Sequence, residues 1–413
     1  MGVTFEHTTL DNELTIIAET DPDAHTSACG FFVKTGARDE SPEVMGVSHF
    51  LEHMMFKGTQ RRSADDINRE FDEIGASYNA YTTSEMTCFF AHVLPEKLDS
   101  AIDLLGDMMR PALREDDFEQ ERGVILEEIA MYMDNPFWVL YDELTTRRYP
   151  DHPLGHLVLG TSETIGAMRV EQMRAYFEHW YAADNTVVSL AGDLDFDVCV
   201  ERISSLCESW NTSGARRDAS DPGGRSTEFS LDRESVARGY YLAMSSAPSV
   251  QSEDRYAASL LAKALGDTDN SRLYWSLLET GIADEAQASY DPHDGLGSFL
   301  LYASCDPDRV DEARALIDDE VSRLLETTSD RDLERLRNKA ATAVTLAGER
   351  PEGRMQRLGR LWTYLGMHRT LEEELDRLCS VTMDDVRRIY ELHPFSPRTQ
   401  GVLRPLQVGA GSS

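Results

Sequence analysis

The feature that most constrains the fold of this 413-residue chain is an order of elements that occurs twice. Each half begins with an apolar, aromatic strand pattern, continues with two amphipathic helical patterns, and closes with a helix followed by a strand. Such a repeat predicts duplication of one α+β unit, although amphipathic helices also resemble one another by chance. The matching segments are 28–34 with 237–243, 98–105 with 310–317, 117–125 with 332–339, 170–177 with 382–390, and 185–190 with 399–403.

A polar, turn-rich stretch separates the two halves near the midpoint of the chain. Residues 211–225 are rich in the Gly, Ser, Asp and Pro that are typical of loops. A chain of this length is too long for one ordinary core, so two domains are expected. We predict an N-terminal domain over 1–210, a linker over 211–226 and a C-terminal domain over 227–408.

The charge balance argues against nucleic acid as a partner. The chain has 74 acidic against 40 basic residues, which gives a formal net charge of −34. Nonspecific nucleic-acid binding depends on basic patches, whereas an acidic surface attracts basic peptides. The acidic, lysine-poor composition is typical either of an ordinary soluble surface or of adaptation to a salty cytoplasm.

The distribution of apolar residues and cysteines predicts a soluble, cytoplasmic protein. No run approaches the roughly 18 apolar residues of a membrane span. Residues 1–7 lack the basic and apolar regions of a signal peptide. The 6 cysteines are scattered without a CxxC pair, which predicts reduced thiols that are neither disulfide-bonded nor metal ligands.

The strongest chemical signal is the segment His49-Phe50-Leu51-Glu52-His53. Positions i and i+4 of a helix share a face, so His49 and His53 can direct their imidazoles to one metal ion. Glu52 falls near that face and is placed to act as a general base toward water. The five-residue pattern can occur by chance, but burying two histidines and a glutamate among apolar residues without a metal is costly.

A third protein ligand is expected from another element, because catalytic zinc usually has three. The candidates are Glu127 and Glu128, within a helical pattern over residues 121–132. Glu121 shares a face with Glu128, so one of these two carboxylates can bind the metal while the other supports the site. Spacing alone leaves the choice of ligand open.

The residues around the motif resemble the signature of the M16 peptidases, the pitrilysin or inverzincin family. The likeness is to its short two-domain members, such as the mitochondrial processing peptidase β subunit and the bacterial M16B peptidases. It implies two homologous α+β domains, each a mostly antiparallel sheet packed with α-helices, that together form a half-clamshell. The matching segments are 35–39, 46–59, 75–82, 121–129, 152–155 and 182–186.

The resemblance implies a metal and a reaction. One Zn²⁺ per chain would be bound by His49, His53 and Glu128, with Glu52 as the general base. The reaction would be hydrolysis of a peptide bond by metal-activated water.

The resemblance also gives roles to residues outside the ligand set. Glu121 matches a carboxylate that supports a metal ligand. Asn79 and Ala80 match a segment of an edge strand that pairs with the substrate backbone by strand addition.

One segment departs from the family pattern. Many members carry a later motif of the form SRLxxxxREKRGLAY, which supplies an Arg and a Tyr to the substrate carbonyl. In residues 271–284 the Arg position is Leu278 and the Tyr position is Asp284. Either an M16-like partner chain supplies the pair in a heterodimer, or a homodimer works without it.

These features predict a zinc-dependent endopeptidase that cleaves unfolded peptides or protein segments and acts as a dimer. One alternative is a metal-dependent lyase, because S-ribosylhomocysteinases also carry HxxEH, but those are short single-domain proteins. A second alternative is a non-catalytic scaffold or partner subunit with the M16 fold. Such subunits usually lose the zinc residues, all of which are present in this chain.

Overall fold

The structure is a computed structural model that describes residues 2–406. Packing divides these residues into two compact units, each with one β-sheet. Unit 1 comprises the residues up to Ile129 together with His156–Asp218 and Thr345–Leu371. Unit 2 comprises Ala130–Gly155, Ala219–Val344 and the described residues from Glu372 onward.

Both halves of the chain contain short runs of consecutive strands separated by runs of consecutive helices. The strands are β1 Thr4–Thr9, β2 Thr15–Thr20, β3 Ser27–Val33, β4 Ser77–Thr82, β5 Thr87–Val93, β6 Thr186–Gly192, β7 Glu228–Arg233, β8 Gly239–Ala247, β9 Ala283–Pro292, β10 Gly297–Cys305 and β11 Arg398–Pro405. The helices are α1 Val47–Met55, α2 Ala64–Glu73, α3 Leu98–Met108, α4 Glu115–Tyr132, α5 Pro136–Arg148, α6 Ser162–Ala167, α7 Val170–Trp180, α8 Phe196–Cys207, α9 Arg255–Gly266, α10 Val310–Thr327, α11 Asp330–Gly348, α12 Pro351–Leu365, α13 Leu371–Ser380 and α14 Met383–Leu392. Short 3-10 turns occupy Ala37–Asp39, Pro42–Val44, Pro95–Lys97, Pro153–Gly155, Ala183–Asn185 and Pro307–Arg309, and a π-helical turn occupies Tyr274–Leu278.

Unit 1 is built on a six-stranded sheet in the order β1-β2-β6-β3-β5-β4. Its strand pairs are antiparallel except β2 with β6, which run parallel. Alternate residues of a strand face opposite sides, so Phe31 of β3 joins the core that contains Leu105 of α3, whereas Phe32 packs with Met355 of α12. Helices on both faces explain why β3 is apolar and buried along its whole length.

Helix α12 lies on the unit-1 sheet although it comes from the second half of the chain. Gly359 allows this close approach, because a Cβ at that position would lie 2.2 Å from a ring carbon of Phe32. Arg357 also forms an ion pair with Glu19 of β2 at 2.5 Å. An amphipathic helix of the later sequence thereby completes the core of the earlier one.

Unit 2 is built on a five-stranded sheet in the order β7-β11-β8-β10-β9. Only β11 with β7 runs parallel among its described pairs. Helix α9 covers one face, and a Cβ at Gly266 would lie 2.1 Å from the backbone nitrogen of Ala288. Helix α5, from the first half of the chain, covers part of the other face, where Leu144 packs with Leu242 and Leu403.

The two sheets confirm the predicted α+β class, with mostly antiparallel strands packed against helices. The predicted boundaries 1–210, 211–226 and 227–408 follow chain order, whereas each packing unit contains a helix from the other half. Those boundaries stay a prediction, and positions 1, 407 and 408 lie outside the described residues. Between residues 2 and 406, no helix combines the length and apolar character that crossing a membrane requires.

Candidate metal centre

Helix α1, which carries the two histidines, begins at a glycine and is capped by a buried carboxylate. Gly46 has a φ of 93°, and a Cβ there would lie 2.6 Å from the carbonyl oxygen of Leu159, so only glycine fits. The carboxylate of Glu40 accepts hydrogen bonds from the backbone N–H groups of Gly46 and Ser48, both at 2.7 Å. These two bonds satisfy donors that the first helical turn would otherwise leave unpaired.

The cap is buried and tied to a second helix. Burial raises the pKa of Glu40 to about 8, although the hydrogen bonds from Ser48 and Gly46 oppose that rise. The hydroxyl of Tyr176, on α7, lies 2.7 Å from the Ser48 hydroxyl and 2.6 Å from that of Thr35. The start of α1 is therefore fixed by polar contacts on several sides.

Three side chains from two helices converge in unit 1. His49 and His53 lie on one face of α1, with ring centroids 4.7 Å apart, and Glu128 comes from α4. One ligand atom from each residue lies within 4.8 Å of the other two. The Nε2 atoms of His49 and His53 are 3.7 Å and 3.6 Å from the Glu128 carboxylate oxygens. Two nitrogens and an oxygen in this arrangement suit a zinc ion that keeps one position open.

The structure separates the two candidate carboxylates for the third ligand position. Glu128 is grouped with His49 and His53, whereas Glu127 is exposed and is not part of the group. Adjacent residues of a helix point about 100° apart, so only one of the pair can face α1.

Glu121 contacts His53 on the side of the ring that faces away from the candidate metal position. Its Oε1 atom lies 2.8 Å from His53 Nδ1, and its Oε2 atom lies 2.5 Å from Lys57 Nζ. Burial opposes ionisation of Glu121, but the contacts with His53 and Lys57 outweigh it and lower the pKa of this carboxyl. An anionic partner at Nδ1 fixes the tautomer that leaves Nε2 free to bind a metal.

His49 has the charge state that a metal ligand needs. Burial, helped by His53, lowers the pKa of His49 to about 4, so the ring is neutral near pH 7 as a metal ligand must be. Its Nδ1 atom is buried and has no hydrogen-bond partner among residues 2–406.

Glu52 stands beside the cluster and is not a member of it. The hydroxyl of Thr82, at the end of β4, donates a hydrogen bond to Glu52 Oε2 at 2.5 Å. Burial raises the pKa of Glu52, while Thr82 and the charge of His53 act in the opposite direction. A carboxylate held next to the metal position, with a raised pKa, has the properties of a general base.

Asn79 and Ala80 lie on β4, the strand at the edge of the unit-1 sheet. Asn79 Oδ1 accepts a hydrogen bond from the backbone N–H of Ala80 at 2.9 Å. Thr82 ends the same strand, so the general-base candidate is tied to the edge on which these two residues lie. Side chains alternate between the two faces of a strand, so Ala80 and Thr82 face the same side of β4. That alternation is the sequence signal that could have pointed to Thr82.

The two positions that depart from the family motif lie in unit 2. Leu278 ends the π-helical turn and is partly buried against the unit-2 core. Asp284 lies on β9 and forms an ion pair with Arg238. Neither side chain is placed among the residues of the cluster described above.

Comparison with known proteins matches most of the chain to one family. The model described as insulinase (peptidase family M16) matches residues 15–162, and the model described as peptidase M16 inactive domain matches residues 167–340. A protein of Bacillus subtilis (strain 168) described as the uncharacterized zinc protease YmxG is 30% identical over 381 residues, which cover 92% of this chain and 93% of that protein. This chain belongs to peptidase family M16.

A further relative agrees with that assignment, and two solved structures share the fold. A Streptomyces coelicolor protein described as an uncharacterized zinc protease is 34% identical over 399 residues, covering 94% of this chain and 86% of that protein. The crystal structure of a protease from Helicobacter pylori has a TM-score of 0.91 at 19% identity, covering 98% of this chain and 100% of that one. A putative M16-like peptidase from Alicyclobacillus acidocaldarius has a TM-score of 0.85 at 22% identity, covering 98% and 99%. These two structures show the shared fold.

Proposed function

We propose that this M16 protein is a zinc-dependent endopeptidase that cleaves unfolded peptides or protein segments. The observation that carries the proposal is the convergence of His49, His53 and Glu128 ligand atoms within 4.8 Å of one another. Glu52 lies beside them as a carboxylate that is not needed as a ligand. That combination of three donors and a separate base is what hydrolysis by an activated water requires.

The donor set fits one zinc ion per chain. His49 and His53 would each bind through Nε2, and Glu128 would bind through its carboxylate. Glu121 would keep His53 in the tautomer that presents Nε2, through its 2.8 Å contact with Nδ1. When bound, the ion supplies Lewis-acid activation of water and of the substrate carbonyl.

The remaining chemistry belongs to Glu52. Its carboxylate would take a proton from the attacking water and return it to the leaving amine. The raised pKa of Glu52, caused first by burial, suits both halves of that transfer. The hydrogen bond from Thr82 holds one carboxylate oxygen, so the other is left to face the water. Thr82 acts here as a positioning residue.

The substrate would lie extended along β4. Among residues 2–406 this strand pairs with β5 alone, so its other edge can accept a peptide by strand addition beside Asn79 and Ala80. Main-chain pairing binds peptides with little regard to sequence and requires them to be unfolded. The bond to be cleaved would then be placed next to Glu52 through the link between β4 and α1.

A second chain is part of the proposal, because Leu278 and Asp284 occupy the Arg and Tyr positions of the family motif. In a heterodimer, an M16-like partner would supply the pair, whereas a homodimer would rely more on the metal. Sedimentation of the purified chain, followed by a cleavage assay of the same fractions, distinguishes these forms. Activity in the homodimer fraction supports a homodimeric enzyme, whereas activity only after addition of a partner chain supports a heterodimer.

The test of the proposed function is the substitution Glu52→Gln. Zinc content should stay at one ion per chain, while cleavage of an unfolded peptide should fall by about 100-fold or more. Glu127→Gln, an equal change of charge at an exposed neighbour of the cluster, is the control and should leave both unchanged. Cleavage that survives Glu52→Gln would overturn the role of Glu52. A wild-type protein that binds zinc but cleaves no peptide would overturn the proposed activity.

A further inference from the structure

One face of the unit-2 sheet carries a cavity that the metal chemistry does not use. Its volume is about 490 Å³, and it is bounded by β8, β9 and β10 and by the start of α5. Helix α5 packs on β8 and β11 of this face and leaves the β9 side open. The opposite face of β9 is closed by the buried alanines Ala286 and Ala288.

Aromatic rings and one carboxylate meet in this cavity. Ser304 of β10 pairs with Tyr240 of β8 on one side and with Glu285 of β9 on the other, so these three side chains face the same way. Tyr302, two residues before Ser304, joins them. Phe137 of α5 completes the wall, because its ring meets the Tyr302 ring edge-on at 5.2 Å and 81°.

The carboxylate of Glu285 is available for a cation. It is exposed, and no Lys, Arg or His among residues 2–406 forms an ion pair with it. Burial raises the pKa of the Tyr240 hydroxyl; the charge of Arg238 opposes that rise, and the charge of Glu285 adds to it. The guanidinium of Arg238 forms ion pairs with Asp284 and Asp306. Burial and then the Glu285 charge raise the pKa of Tyr302, which agrees with a hydroxyl and a carboxylate placed close together.

We propose that this cavity binds the arginine side chain of an extended peptide. A planar guanidinium can stack on the tyrosine rings while it donates two hydrogen bonds to Glu285. The cavity is larger than one guanidinium, and Gln287 and Ser289 continue along the exposed side of β9. Their amide and hydroxyl groups give the peptide main chain hydrogen-bonding partners. The net charge of −34 favours the approach of basic peptides.

The site is independent of cleavage and can be tested apart from it. The probe is an unstructured fluorescent peptide with a single arginine, compared with the same peptide in which citrulline replaces arginine. Citrulline keeps the shape of the side chain and removes its charge. Binding is measured by anisotropy to the full-length Glu52→Gln protein, so that no peptide is hydrolysed and a failure here leaves the proposed activity untouched.

The arginine peptide should bind about fivefold more tightly than the citrulline peptide. Glu285→Gln should abolish that difference, and Tyr302→Leu should reduce it. The matched control is Glu334→Gln, the same change of charge at an exposed position of α11, which should preserve the difference. Thermal melting monitored by circular dichroism identifies any variant that has lost its fold.

Two results would overturn the assignment. One is equal affinity for the two peptides, or a preference for arginine that persists in a folded Glu285→Gln protein. The other is competition by free arginine as strong as that by the arginine peptide, since this would show a site for the amino acid and not for a peptide.

Discussion

Helices α1 and α9 occupy matching places in the two units and are used in opposite ways. Each follows a central strand of its sheet and precedes a β-hairpin, β4–β5 after α1 and β9–β10 after α9. On α1 the side chains that face α4 include His49 and His53. On α9 the buried side chains are mainly alanine and leucine, among them Leu260 and Leu261.

The difference shows that the fold does not require polar residues at this place. Unit 2 fills the position with an apolar core, so the donors of α1 are an addition to the architecture. Burying these polar side chains costs free energy. Nearby contacts compensate for it, since Glu121 pairs with His53 and Glu40 caps the helix. The shared element order therefore accounts for the fold, whereas the proposed metal site depends on a few side chains of one unit.

The largest effect predicted from the comparison of the two units is a loss of zinc affinity on substitution of Glu128. The substitution Glu128→Gln removes the anionic ligand, so zinc affinity should fall by about 100-fold or more. Titration with a competing chelator measures that affinity. Glu127→Gln, one residue away on the exposed side of α4, should bind zinc as the wild type does. Equal losses in the two variants would mean that general acidity, not the cluster, binds the metal.

A substitution in the core of α9 should lower the stability of the protein and leave its zinc content unchanged. Leu261 is fully buried, so Leu261→Ala should lower the free energy of unfolding by about 3 kcal/mol through the cavity that it leaves. Urea unfolding measures this loss. Zinc content in native buffer should not change, because no metal donor lies on α9. A variant that stays folded but loses zinc would show that the two helices cannot be treated separately.

Two carboxyl groups, Glu121 in unit 1 and Asp142 in unit 2, give a further contrast, because their pKa values shift in opposite directions. In unit 1 Glu121 has cationic neighbours, whereas burial alone raises the pKa of Asp142, on α5 of unit 2, to about 7. Between pH 4 and 7 the native state keeps this proton and the unfolded state releases it, so stability falls as pH rises. Asp142→Asn should therefore gain about 2 kcal/mol over the wild type at pH 8 and little at pH 4.

Urea unfolding at the two pH values measures the Asp142 effect. The control is Asp376→Asn, an equal change of charge at an exposed site on α13, whose stability should follow the wild type at both values. A gain for Asp142→Asn that is the same at pH 4 and pH 8 would rule out titration of this carboxyl as the cause.

The smallest predicted effect is at Thr82. Thr82→Val keeps the shape of the side chain and removes its hydrogen bond to Glu52, so kcat should fall by about tenfold while KM and zinc content stay the same. Thr82→Ser restores the hydroxyl and should recover most of the rate. If valine and serine behave alike, Thr82 has a packing role only.

The sequence predicted the part of the site that lies within short patterns. The spacing of His49 and His53 on one helix follows from periodicity, and the surrounding residues carried the family resemblance. Pattern alone could not choose between Glu127 and Glu128, because the choice depends on how α4 turns toward α1. The parts missed, Thr82 and Glu40, contact α1 across 30 and 8 positions of sequence, and no local rule connects them.

The fold was predictable to a similar depth. The repeated order of strand and helix patterns indicated a duplicated α+β unit, and the family resemblance implied a mostly antiparallel sheet in each domain. They were not sufficient for the partners of α5 and α12, since an amphipathic helix shows that it has an apolar face but not which sheet covers it. The close contact with Phe32 requires a glycine at position 359, yet a glycine inside a helical pattern does not show which residue packs against it.

The most direct test of the account is the position of zinc in crystals of the metal-loaded protein. Anomalous diffraction at the zinc absorption edge should show one peak per chain, about 2.0–2.2 Å from His49 Nε2, His53 Nε2 and a carboxylate oxygen of Glu128. The absence of that peak from zinc-loaded crystals, or a peak bound by other residues, would contradict the account.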